Sequence, residues 1–557
     1  MFDSILVANR GEIALRIMRT AQAMGIQTIA IYVDADKDAP HVRFADKAVL
    51  LPDGGYLDID AVLDAAQKSN AGAIHPGYGF LSENSEFAKR VIKEKIIWVG
   101  PSPKVISVMG DKLKAKELAI KASVPTLPMT SDEKEVKKIG YPLLIKAAAG
   151  GGGKGMRVVT DKKDLQESLE GAKREALSGF GDERVFIERY VEKSRHIEIQ
   201  ILGDSHGNVI HLGERECSIQ RRHQKIIEES PSPRITEEIR FAMGNAAVDL
   251  AKKIKYESAG TVEFLFDDKS GEFWFLEVNT RLQVEHPVTE EVTGIDLVAE
   301  QIKIARGEEL QYSQEDIEWT GSSIEARLYA ENPNNDFLPE TGKMFAYEQA
   351  ENDFMTRWDS GVHKDSVIGT NFDPMLAKVI SYGETRDDAA RVLAKSLEDS
   401  HIGGVITNKD FLIATLRSDE FLKGNTTTDF IERVKPPRVK NLSNDELNLA
   451  LTAAAMWKQM RNRISSDIAP YIPSGWTNGR LPNPNITFLL DGEEIFVEYK
   501  LINKNKFLVF NSEVEVVNID DKYIDLVFDG VRVKSRISED AEFILVHIPS
   551  GDVSFEV

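Results

Sequence analysis

A row of polar side chains recurs at every second position between residues 277 and 285. Its members are Glu277, Asn279, Arg281, Gln283 and Glu285, with mostly apolar residues between them. Because a strand sends alternate side chains to opposite faces, we expect a strand with one face for burial and one polar face. The polar face carries carboxylates, amides and a guanidinium, which could bind a metal ion and an anion. A half-exposed strand whose polar side meets water is the alternative.

The residues just before this row favour metal binding. Two predicted strands flank a turn at residues 267–271, and one register of this hairpin pairs Glu263 with Glu277. Like charges directly opposite each other destabilise a sheet, and a divalent cation between them would remove that cost. The oxygen ligands of Glu263, Glu277 and Asn279 suit Mg²⁺ or Mn²⁺.

A glycine-rich loop is a second candidate for ligand binding. A predicted strand ends at Lys146, and Gly150–Gly153, Lys154 and Gly155 follow closely. Glycines let backbone N–H groups approach an anion, and the two lysines add positive charge. Ala148 stands where a Walker A loop requires its first glycine, so a P-loop is excluded. We predict a phosphate-binding loop, with a flexible surface loop as the alternative.

Two further segments carry polar groups in a pattern. A predicted strand places His196, Glu198 and Gln200 on one face. Residues 218–227 are basic in an acidic protein, which favours anion binding by clustered Arg, His and Lys, with a salt-bridged surface segment as the alternative. The neighbouring Cys217 is predicted to be a small buried residue and not a nucleophile.

The elements that must position these groups begin with an α/β domain. Residues 3–100 alternate predicted strands and helices, which is typical of a parallel sheet covered by helices. The first turn, residues 8–12, lacks G-x-G-x-x-G, so no dinucleotide site is predicted. Near the other end, residues 435–438 form a predicted linker, and Ser443 and Glu446 fit a capping box for a helix that reaches about Met460. Short strands follow, including a hairpin signal at Asp529-Gly530.

Composition limits the classes of function. The chain has 557 residues, enough for several domains, and its net charge of −21 argues against nucleic-acid binding, which needs a basic face. A single cysteine excludes an intramolecular disulfide framework. The first residues lead directly into a predicted strand, and no apolar run is long enough to cross a membrane. We therefore expect a cytoplasmic protein that binds no membrane, although the mitochondrial matrix is an alternative location.

Six motifs together resemble the biotin carboxylase component of biotin-dependent carboxylases, which has the ATP-grasp fold. The motifs are Asn9–Glu12, His75–Phe80, Met109–Lys112, Lys146 with its glycine loop, Gln220–Lys225 and Glu277–His286. The resemblance covers residues 1 to about 435. It implies an N-terminal parallel-sheet domain (1–112), an ATP-grasp domain (113–319) with a mobile lid at about 127–190, and a C-terminal carboxylase lobe (320–435). Ala149 departs from the family, where many relatives have a further glycine.

The resemblance also implies a role for matching residues. The implied ATP contacts are Lys112, Lys146, Gly151, Gly152, Gly153, Glu188, Val191, His196, Gln220 and His223. The implied metal ligands are again Glu263, Glu277 and Asn279, and the implied bicarbonate contacts are Arg281, Gln283 and the backbone of Val284. The implied catalytic residues are Lys225, Arg281, Glu285 as the base that deprotonates bicarbonate, and Arg327 as the group that stabilises the biotin enolate.

The family reaction uses ATP, Mg²⁺ or Mn²⁺ and bicarbonate to carboxylate biotin through carboxyphosphate. Residues 444–557 resemble the β-rich domain of acyl-CoA carboxylase α subunits, which implies a carboxyltransferase (β) subunit as partner in a homo- and hetero-oligomer. The sequence has no Ala-Met-Lys-Met motif, so we expect the biotin carboxyl carrier domain on another chain or outside this sequence. The acyl-CoA could be of the acetyl, propionyl or methylcrotonyl type. Another ATP-grasp carboxylate–amine ligase and a non-catalytic assembly subunit are the alternatives.

Overall fold

The computed structural model describes residues 1–149, 155–222, 224–350, 355–465, 467, 472, 479, 481–490, 492–503 and 505–557. The N-terminal unit is a parallel sheet of five strands, as the sequence predicts. In spatial order its strands are Lys47–Leu50, Gln27–Tyr32, Ser4–Val7, Ala73–His75 and Ile97–Trp98. Its helices are Gly11–Ala23, Pro40–Phe44, Ile59–Ser69, Ser85–Lys93 and Pro103–Met109.

An antiparallel sheet of eight strands forms the centre of the molecule. In spatial order the strands are Phe273–Asn279, Ser258–Phe266, Arg195–Gly203, Val209–Arg221, Gln224–Ser230, Ser322–Tyr329, Met375–Gly383 and Thr356–Ser360. The helices beside it are Lys112–Lys121, Glu237–Ile254, His286–Thr293 and Leu297–Ala305. The predicted basic segment 218–227 is therefore not one surface stretch. It spans two paired strands of this sheet, and most of its residues after Lys225 are buried.

A smaller antiparallel sheet lies within the region predicted as a lid. Its strands in spatial order are Met129–Thr130, Val185–Arg189, Leu143–Ala147 and Arg157–Val159, and its helices are Val136–Ile139 and Leu165–Phe180. Residues 150–154, which include the predicted phosphate contacts Gly151, Gly152 and Gly153, lie outside the described residues, as does His223. The mobility of the lid stays a prediction.

The C-terminal carboxylase lobe shares the eight-stranded sheet and adds a second core. Its helices are Arg386–Asp399, Lys409–Leu416, Asp419–Leu422 and Phe430–Val434. Its short strands are Glu331–Asn332, Leu338–Pro339, Gly342–Lys343, Ala346–Glu348, Val367–Ile368 and His401–Gly403. Because strands from the central unit and from this lobe pair in one sheet, the two are joined by continuous backbone hydrogen bonds.

The tail folds as a closed barrel around one helix, which confirms the predicted β-rich domain. The helix Asn444–Ile464 begins with the predicted Ser443–Glu446 capping box. The strands are Asn485–Leu490, Glu493–Asn503, Lys506–Val509, Ser512–Ile519, Tyr523–Phe528, Val531–Glu539, Phe543–Ile548 and Gly551–Glu556. Residues 450–457 of the helix are all buried, so the helix is surrounded by barrel side chains and forms the core of the barrel.

Among the described helices, none has both the length and the apolar character needed to cross a membrane.

Candidate active site

The predicted carboxylate pair lies on adjacent strands in the expected register. Glu263 stands directly opposite Glu277 in the hairpin of Ser258–Phe266 and Phe273–Asn279. The strand prediction beyond this point is wrong, because the strand ends at Asn279 and residues 280–285 form a turn that enters a helix at His286. Pro287 occupies the first turn of that helix, where its missing N–H costs no hydrogen bond.

The predicted separation of this row into apolar and polar side chains is partly correct, although the backbone is not a strand throughout. Val278 and Leu282 are buried in apolar clusters on either side of the sheet. Gln283 and Glu285 are also buried, yet both line a cavity. The alternation therefore identified the right polar side chains, although three of the five lie on a turn.

One cavity of about 920 Å³ gathers most of the predicted site residues. It lies between the small sheet, the central sheet and the carboxylase lobe. The predicted residues that line it are Lys112, Lys146, Val191, His196, Gln220, Lys225, Glu263, Glu277, Asn279, Arg281, Gln283, Val284, Glu285 and Arg327. A cavity of this size is within the range that holds a nucleotide-sized ligand.

Lys225 is the centre of a buried ionic cluster on one wall of the cavity. Its Nζ donates to Glu198, to Glu285 Oε1 at 2.7 Å and to Glu263 Oε1 at 3.2 Å. Burial opposes the charge on Lys225, but the three carboxylates outweigh burial and hold the pKa of the ammonium well above its usual range. Arg215 also pairs with Glu198, and Arg327 with Glu285, so three cations face three carboxylates in this cluster.

Glu285 is held between two cations. Its Oε1 accepts from Lys225, and its Oε2 accepts from Arg327 Nη2 at 2.9 Å. Burial would raise the pKa of this carboxyl, but Lys225 and Arg327 outweigh burial and lower the pKa well below its ordinary value. Glu285 is therefore ionised at neutral pH and has the protonation state that a general base requires.

The proposed metal ligands form a donor set of the right chemistry. Glu263 Oε1 accepts from Asn279 Nδ2 at 2.7 Å, and Glu263 Oε2 lies 2.8 Å from His196 Nε2. Glu277 Oε2 lies 3.1 Å from Lys112 Nζ. Two carboxylates face each other at the cavity and an amide oxygen lies beside them, so oxygen ligands of the kind that a divalent ion needs are present. These residues fit Mg²⁺ or Mn²⁺.

Arg281 reaches across the cavity toward the N-terminal unit. Its Nε donates to Glu83 Oε2 at 3.0 Å, and its Nη2 donates to Asn279 Oδ1 at 3.3 Å. Glu83 follows the loop after the strand Ala73–His75, at the edge of the parallel sheet where ligands bind in α/β folds. Sequence reasoning missed Glu83, although its place just after the His75–Phe80 motif was a usable signal.

Glu188 is turned away from the cavity that its neighbours line. Its buried carboxylate is bound by both Lys116 and Lys146, which lower its pKa to about 2 although burial acts to raise it. Residues 189–192 after it line the cavity. The implied side-chain contact of Glu188 to adenine stays a prediction, and the structure places that carboxylate on two lysines. Lys116, missed in the sequence, lies one helical turn after Lys112.

Two buried glutamates behind Arg327 were also missed. Arg327 Nε donates to Glu228 Oε1 at 2.6 Å, and Arg327 Nη2 contacts both Glu228 and Glu285. Glu228 stands directly opposite Glu325 in the neighbouring strand. Burial, partly opposed by Arg327, raises the pKa of Glu228 to about 7. No local pattern in the sequence marks Glu228, because it meets Arg327 only through the register of the sheet. Glu325 lies two residues before Arg327 on one strand, so alternation was a usable signal for it.

Three smaller observations concern residues around this cluster. Gln220 Nε2 bonds His196 Nδ1 at 3.0 Å, so these two implied nucleotide contacts support each other at the cavity. Cys217 is buried, as predicted. His286 is buried as well, and its Nδ1 bonds the carbonyl oxygen of Gln283 at 2.7 Å.

Comparison with known families assigns three consecutive parts of the chain. Residues 1–106 match the biotin carboxylase N-terminal domain, and residues 325–433 match the biotin carboxylase C-terminal domain. Residues 111–313 match the ATP-binding domain of the carbamoyl-phosphate synthase L chain. The residues that line the cavity come from the second and third of these parts in chain order, 111–313 and 325–433.

Individual relatives agree with these matches. Biotin carboxylase 2 of Bacillus subtilis is 46% identical over 445 residues, which are 78% of this chain and 100% of the relative. The mitochondrial propionyl-CoA carboxylase alpha chain of Homo sapiens is 47% identical over 469 residues, which are 82% of this chain. This chain spans 64% of the length of that human protein.

A solved structure shows the same fold. The biotin carboxylase domain dimer of Hydrogenobacter thermophilus 2-oxoglutarate carboxylase, in complex with magnesium ADP, ADP and bicarbonate, superposes with a TM-score of 0.76. It is 44% identical, and the match covers 78% of this chain and 98% of that chain. With three family domains in order and a relative matched over its whole length, the chain belongs to the biotin carboxylase family of ATP-dependent ligases.

Proposed function

We propose that this protein uses ATP and bicarbonate to carboxylate biotin on a carrier domain, as the first half-reaction of an acyl-CoA carboxylase. The observation that carries the proposal is the position of Glu285. An ionised carboxylate lies between Lys225 and Arg327, beside the Glu263–Glu277 pair, in a cavity large enough for a nucleotide. A base, a bicarbonate site and a phosphate site are thus adjacent.

The lysines and carboxylates of the cavity suit the phosphates of ATP. Lys112 and Lys146 line the same wall and supply point charges for phosphate oxygens. Glu263, Glu277 and Asn279 would hold a divalent ion, which neutralises charge on the phosphates when it is bound. Residues 189–192 supply backbone groups at the end of the strand Val185–Arg189, in the place that the family resemblance gives to the adenine hinge.

Bicarbonate is a weak nucleophile until it loses its proton, so the base must lie within hydrogen-bond reach of it. Glu285 is that base in our proposal, and Arg281 with Gln283 and the Val284 backbone holds the anion. An anion that enters the cavity competes for Lys225 and Arg327. Since those two cations hold the pKa of Glu285 low, their partial withdrawal raises its proton affinity at the moment when a base is needed.

Arg327 has a second task in the proposal. The ureido nitrogen of biotin is weakly acidic, and a fixed cation at the ureido oxygen favours the enolate that attacks carbon dioxide. Arg327 is bound to Glu285 through Nη2 and to Glu228 through both Nε and Nη2. If biotin replaces Glu285 as a partner of Arg327, Glu228 keeps the guanidinium in place.

The carboxylation half is tested by replacing Glu285. Glu285→Gln keeps the shape of the side chain and removes the base, so we expect biotin- and bicarbonate-dependent ATP hydrolysis to fall by about a hundredfold or more, while ATP still binds. Glu272→Gln, at an exposed turn of the same hairpin, is the matched control and should retain full activity. Near-normal turnover of free biotin by Glu285→Gln would contradict the assignment.

The same assay separates the alternatives. A different ATP-grasp ligase would hydrolyse ATP with another acid and an amine and would not respond to bicarbonate and biotin. A non-catalytic assembly subunit would show no substrate-dependent hydrolysis. Neither has a specific structural observation in its favour, because Glu285, Arg281, Lys225 and Arg327 all line the cavity.

The barrel is proposed to dock a carboxyltransferase subunit. Its interior is filled by its own helix, and the described catalytic candidates all precede it in the chain. The relative from Bacillus subtilis is matched over its whole length by a share of this chain similar to that of residues 1–433, so a biotin carboxylase can exist without such a barrel. Docking would hold the carboxyltransferase site, to which the biotin carrier must travel next, close to the cavity. It would thereby raise the effective concentration of that site for the carrier.

Removal of residues 441–557 tests the docking proposal. We expect the truncated protein to carboxylate free biotin and to lose coupled carboxylation of acyl-CoA. Co-purification of the truncated protein with a carboxyltransferase subunit at full stoichiometry would contradict docking by the barrel. A screen of acetyl-, propionyl- and methylcrotonyl-CoA with the complete complex would then identify the acceptor.

A further inference from the structure

The turn that carries Gln283, Val284 and Glu285 is held from behind by two buried side chains. His286 Nδ1 bonds the carbonyl oxygen of Gln283 at 2.7 Å, and Lys378 Nζ donates to the carbonyl oxygen of Val284 at 2.8 Å. Each carbonyl shares a rigid peptide plane with the N–H of the next residue. These two contacts therefore fix the directions of the Val284 and Glu285 N–H groups and the start of the Glu285 side chain.

Lys378 is unusual among the lysines because its side chain is completely buried. It lies on the strand Met375–Gly383, directly opposite Arg327 on one neighbouring strand and Asp359 on the other. Burial of an ammonium costs several kcal/mol unless its donors are satisfied. The groups that Lys378 contacts must therefore offset the cost of burying its charge.

The shortest of those contacts is the Val284 carbonyl. The carboxylates of Glu12 and Asp359 lie farther from Lys378 Nζ, at 3.4 and 3.8 Å. Both carboxylates have other partners, since Glu12 accepts from the Tyr78 hydroxyl and Asp359 accepts from Arg357 at 2.9 Å. Charge balance alone does not explain why the ammonium points at a peptide carbonyl.

The sequence of the turn explains why that carbonyl needs a side-chain donor. In a turn that enters a helix, the carbonyl of Val284 would receive the N–H of the residue three positions later. That residue is Pro287, which has no N–H. A buried carbonyl without a partner costs about 1–3 kcal/mol, and Lys378 removes this cost from a strand more than 90 residues away.

We propose that Lys378 is a positioning residue for the bicarbonate site. It fixes the Val284–Glu285 peptide plane, and through that plane it sets the distance between the Glu285 carboxylate and the anion held by Arg281, Gln283 and Val284. This inference rests on the proposed function, because it assigns a task in bicarbonate binding. It concerns a residue that does not touch the substrate.

The test separates positioning from simple stability by comparing two Michaelis constants. Lys378→Met keeps the length of the side chain and removes the donor. A misplacement of about 1 Å at a reacting group can cost as much as a hundredfold, so we expect the KM for bicarbonate to rise by about tenfold. The KM for ATP should change by less than twofold. Because KM does not depend on the amount of folded enzyme, partial unfolding cannot imitate this split.

Two further variants complete the design. Lys378→Arg keeps a cationic donor and should recover most of the bicarbonate affinity. Asp359→Asn removes a charge partner of Lys378 without touching Val284, and should leave the KM for bicarbonate within twofold of the wild-type value. If Lys378→Met does not fold, Lys378→Gln replaces it, since Gln keeps a polar group in the core but is too short for the same contact.

The outcomes distinguish the two proposals. Wild-type protein without bicarbonate-dependent ATP hydrolysis would refute the proposed function, and the positioning role with it. Active wild type with an unchanged bicarbonate KM in Lys378→Met, or with equal changes for bicarbonate and ATP, would refute the positioning role alone. An equal effect of Asp359→Asn and Lys378→Met would show that charge balance is the cause, and would also overturn it.

Discussion

Two buried charge clusters in this protein have opposite compositions. At the cavity, the single ammonium of Lys225 contacts three carboxylates. Where the barrel meets the carboxylase lobe, the single carboxylate of Asp552 receives four donors. They are Lys409 Nζ at 2.6 Å, His401 Nδ1 and His547 Nδ1 each at 2.8 Å, and the backbone N–H of Ile402 at 3.1 Å.

The difference in composition separates chemistry from attachment. Around Lys225 the carboxylates are shared with other side chains, and Glu263 and Glu285 line a cavity that a metal ion or a substrate can enter. Around Asp552 donors outnumber acceptors. Burial would raise the pKa of Asp552, but Lys409 and the two histidines outweigh burial and lower the pKa well below its ordinary value. The first cluster can react, and the second holds two parts of the chain together.

The largest effect is expected from breaking the attachment cluster. Asp552→Asn leaves the buried ammonium of Lys409 without its carboxylate, which should lower the stability of the junction by about 3 kcal/mol. Biotin carboxylation should stay within twofold of the wild-type rate, because no site residue changes. Thermal unfolding followed together with free-biotin activity measures both.

A surface pair in the same barrel domain supplies the control for this variant. Asp521 is 93% exposed and pairs with Arg461, so Asp521→Asn should cost less than about 1 kcal/mol. Equal melting temperatures for Asp552→Asn and Asp521→Asn would show that the Asp552 cluster does not fasten the barrel.

The next effect concerns the two facing carboxylates at the cavity, Glu263 and Glu277. Glu263→Gln or Glu277→Gln removes one formal charge from the proposed metal ligands, so the magnesium concentration for half-maximal activity should rise roughly tenfold or more. The melting temperature should fall far less than in Asp552→Asn, since like charges opposite each other are relieved. Titration of activity with Mg²⁺ provides the measurement, and an unchanged magnesium requirement in both variants would remove the metal assignment.

The sequence could predict the reactive cluster only in part. The pairing of Glu263 with Glu277 follows from alternation and a turn, which act within a few residues of each other. The end of the strand at Asn279 could not be predicted, because the polar alternation continues through a turn that is not a strand. Glu228 and Lys378 could not be predicted either, since they reach the site through strand pairing across the eight-stranded sheet.

The barrel shows the same limit at the level of the fold. Its short strands and the hairpin at Asp529-Gly530 have local signals, and the structure contains both. Closure of the barrel depends on the pairing of Leu489 with Glu556, which lie on its first and last strands and are far apart in the sequence. Local patterns thus predict elements and hairpins, whereas closure and the Asp552 junction depend on contacts between distant segments.

The smallest effect tests whether Glu228, beside the cavity, makes the stability of the folded protein depend on pH. The pKa of Glu228 is raised to about 7 by burial, partly opposed by Arg327, from an ordinary value of 4.5. Between these pH values the folded protein holds a proton that the unfolded chain has released. The free energy of unfolding therefore falls as pH rises through this window, by about 1 kcal/mol per pH unit, and the loss ends above pH 7. Glu263 and Glu285, whose pKa values are lowered, add no slope there.

Glu228→Gln should remove the part of this slope that Glu228 contributes, because Gln does not titrate and keeps an acceptor for Arg327 Nε. Burial also raises the pKa of Glu325, which keeps its own part. We expect wild type and variant to melt at similar temperatures at pH 5.5, and the variant to be the more stable of the two at pH 8. The exposed Glu315→Gln controls for a general loss of negative charge and should follow the wild-type curve. Parallel wild-type and Glu228→Gln melting curves from pH 5.5 to 8.5 would contradict a pKa near 7 for Glu228. If Glu228 is instead ionised throughout, Arg327 is shared between two permanent anions. Arg327 then binds Glu285 less tightly, and biotin displaces Glu285 from it more easily.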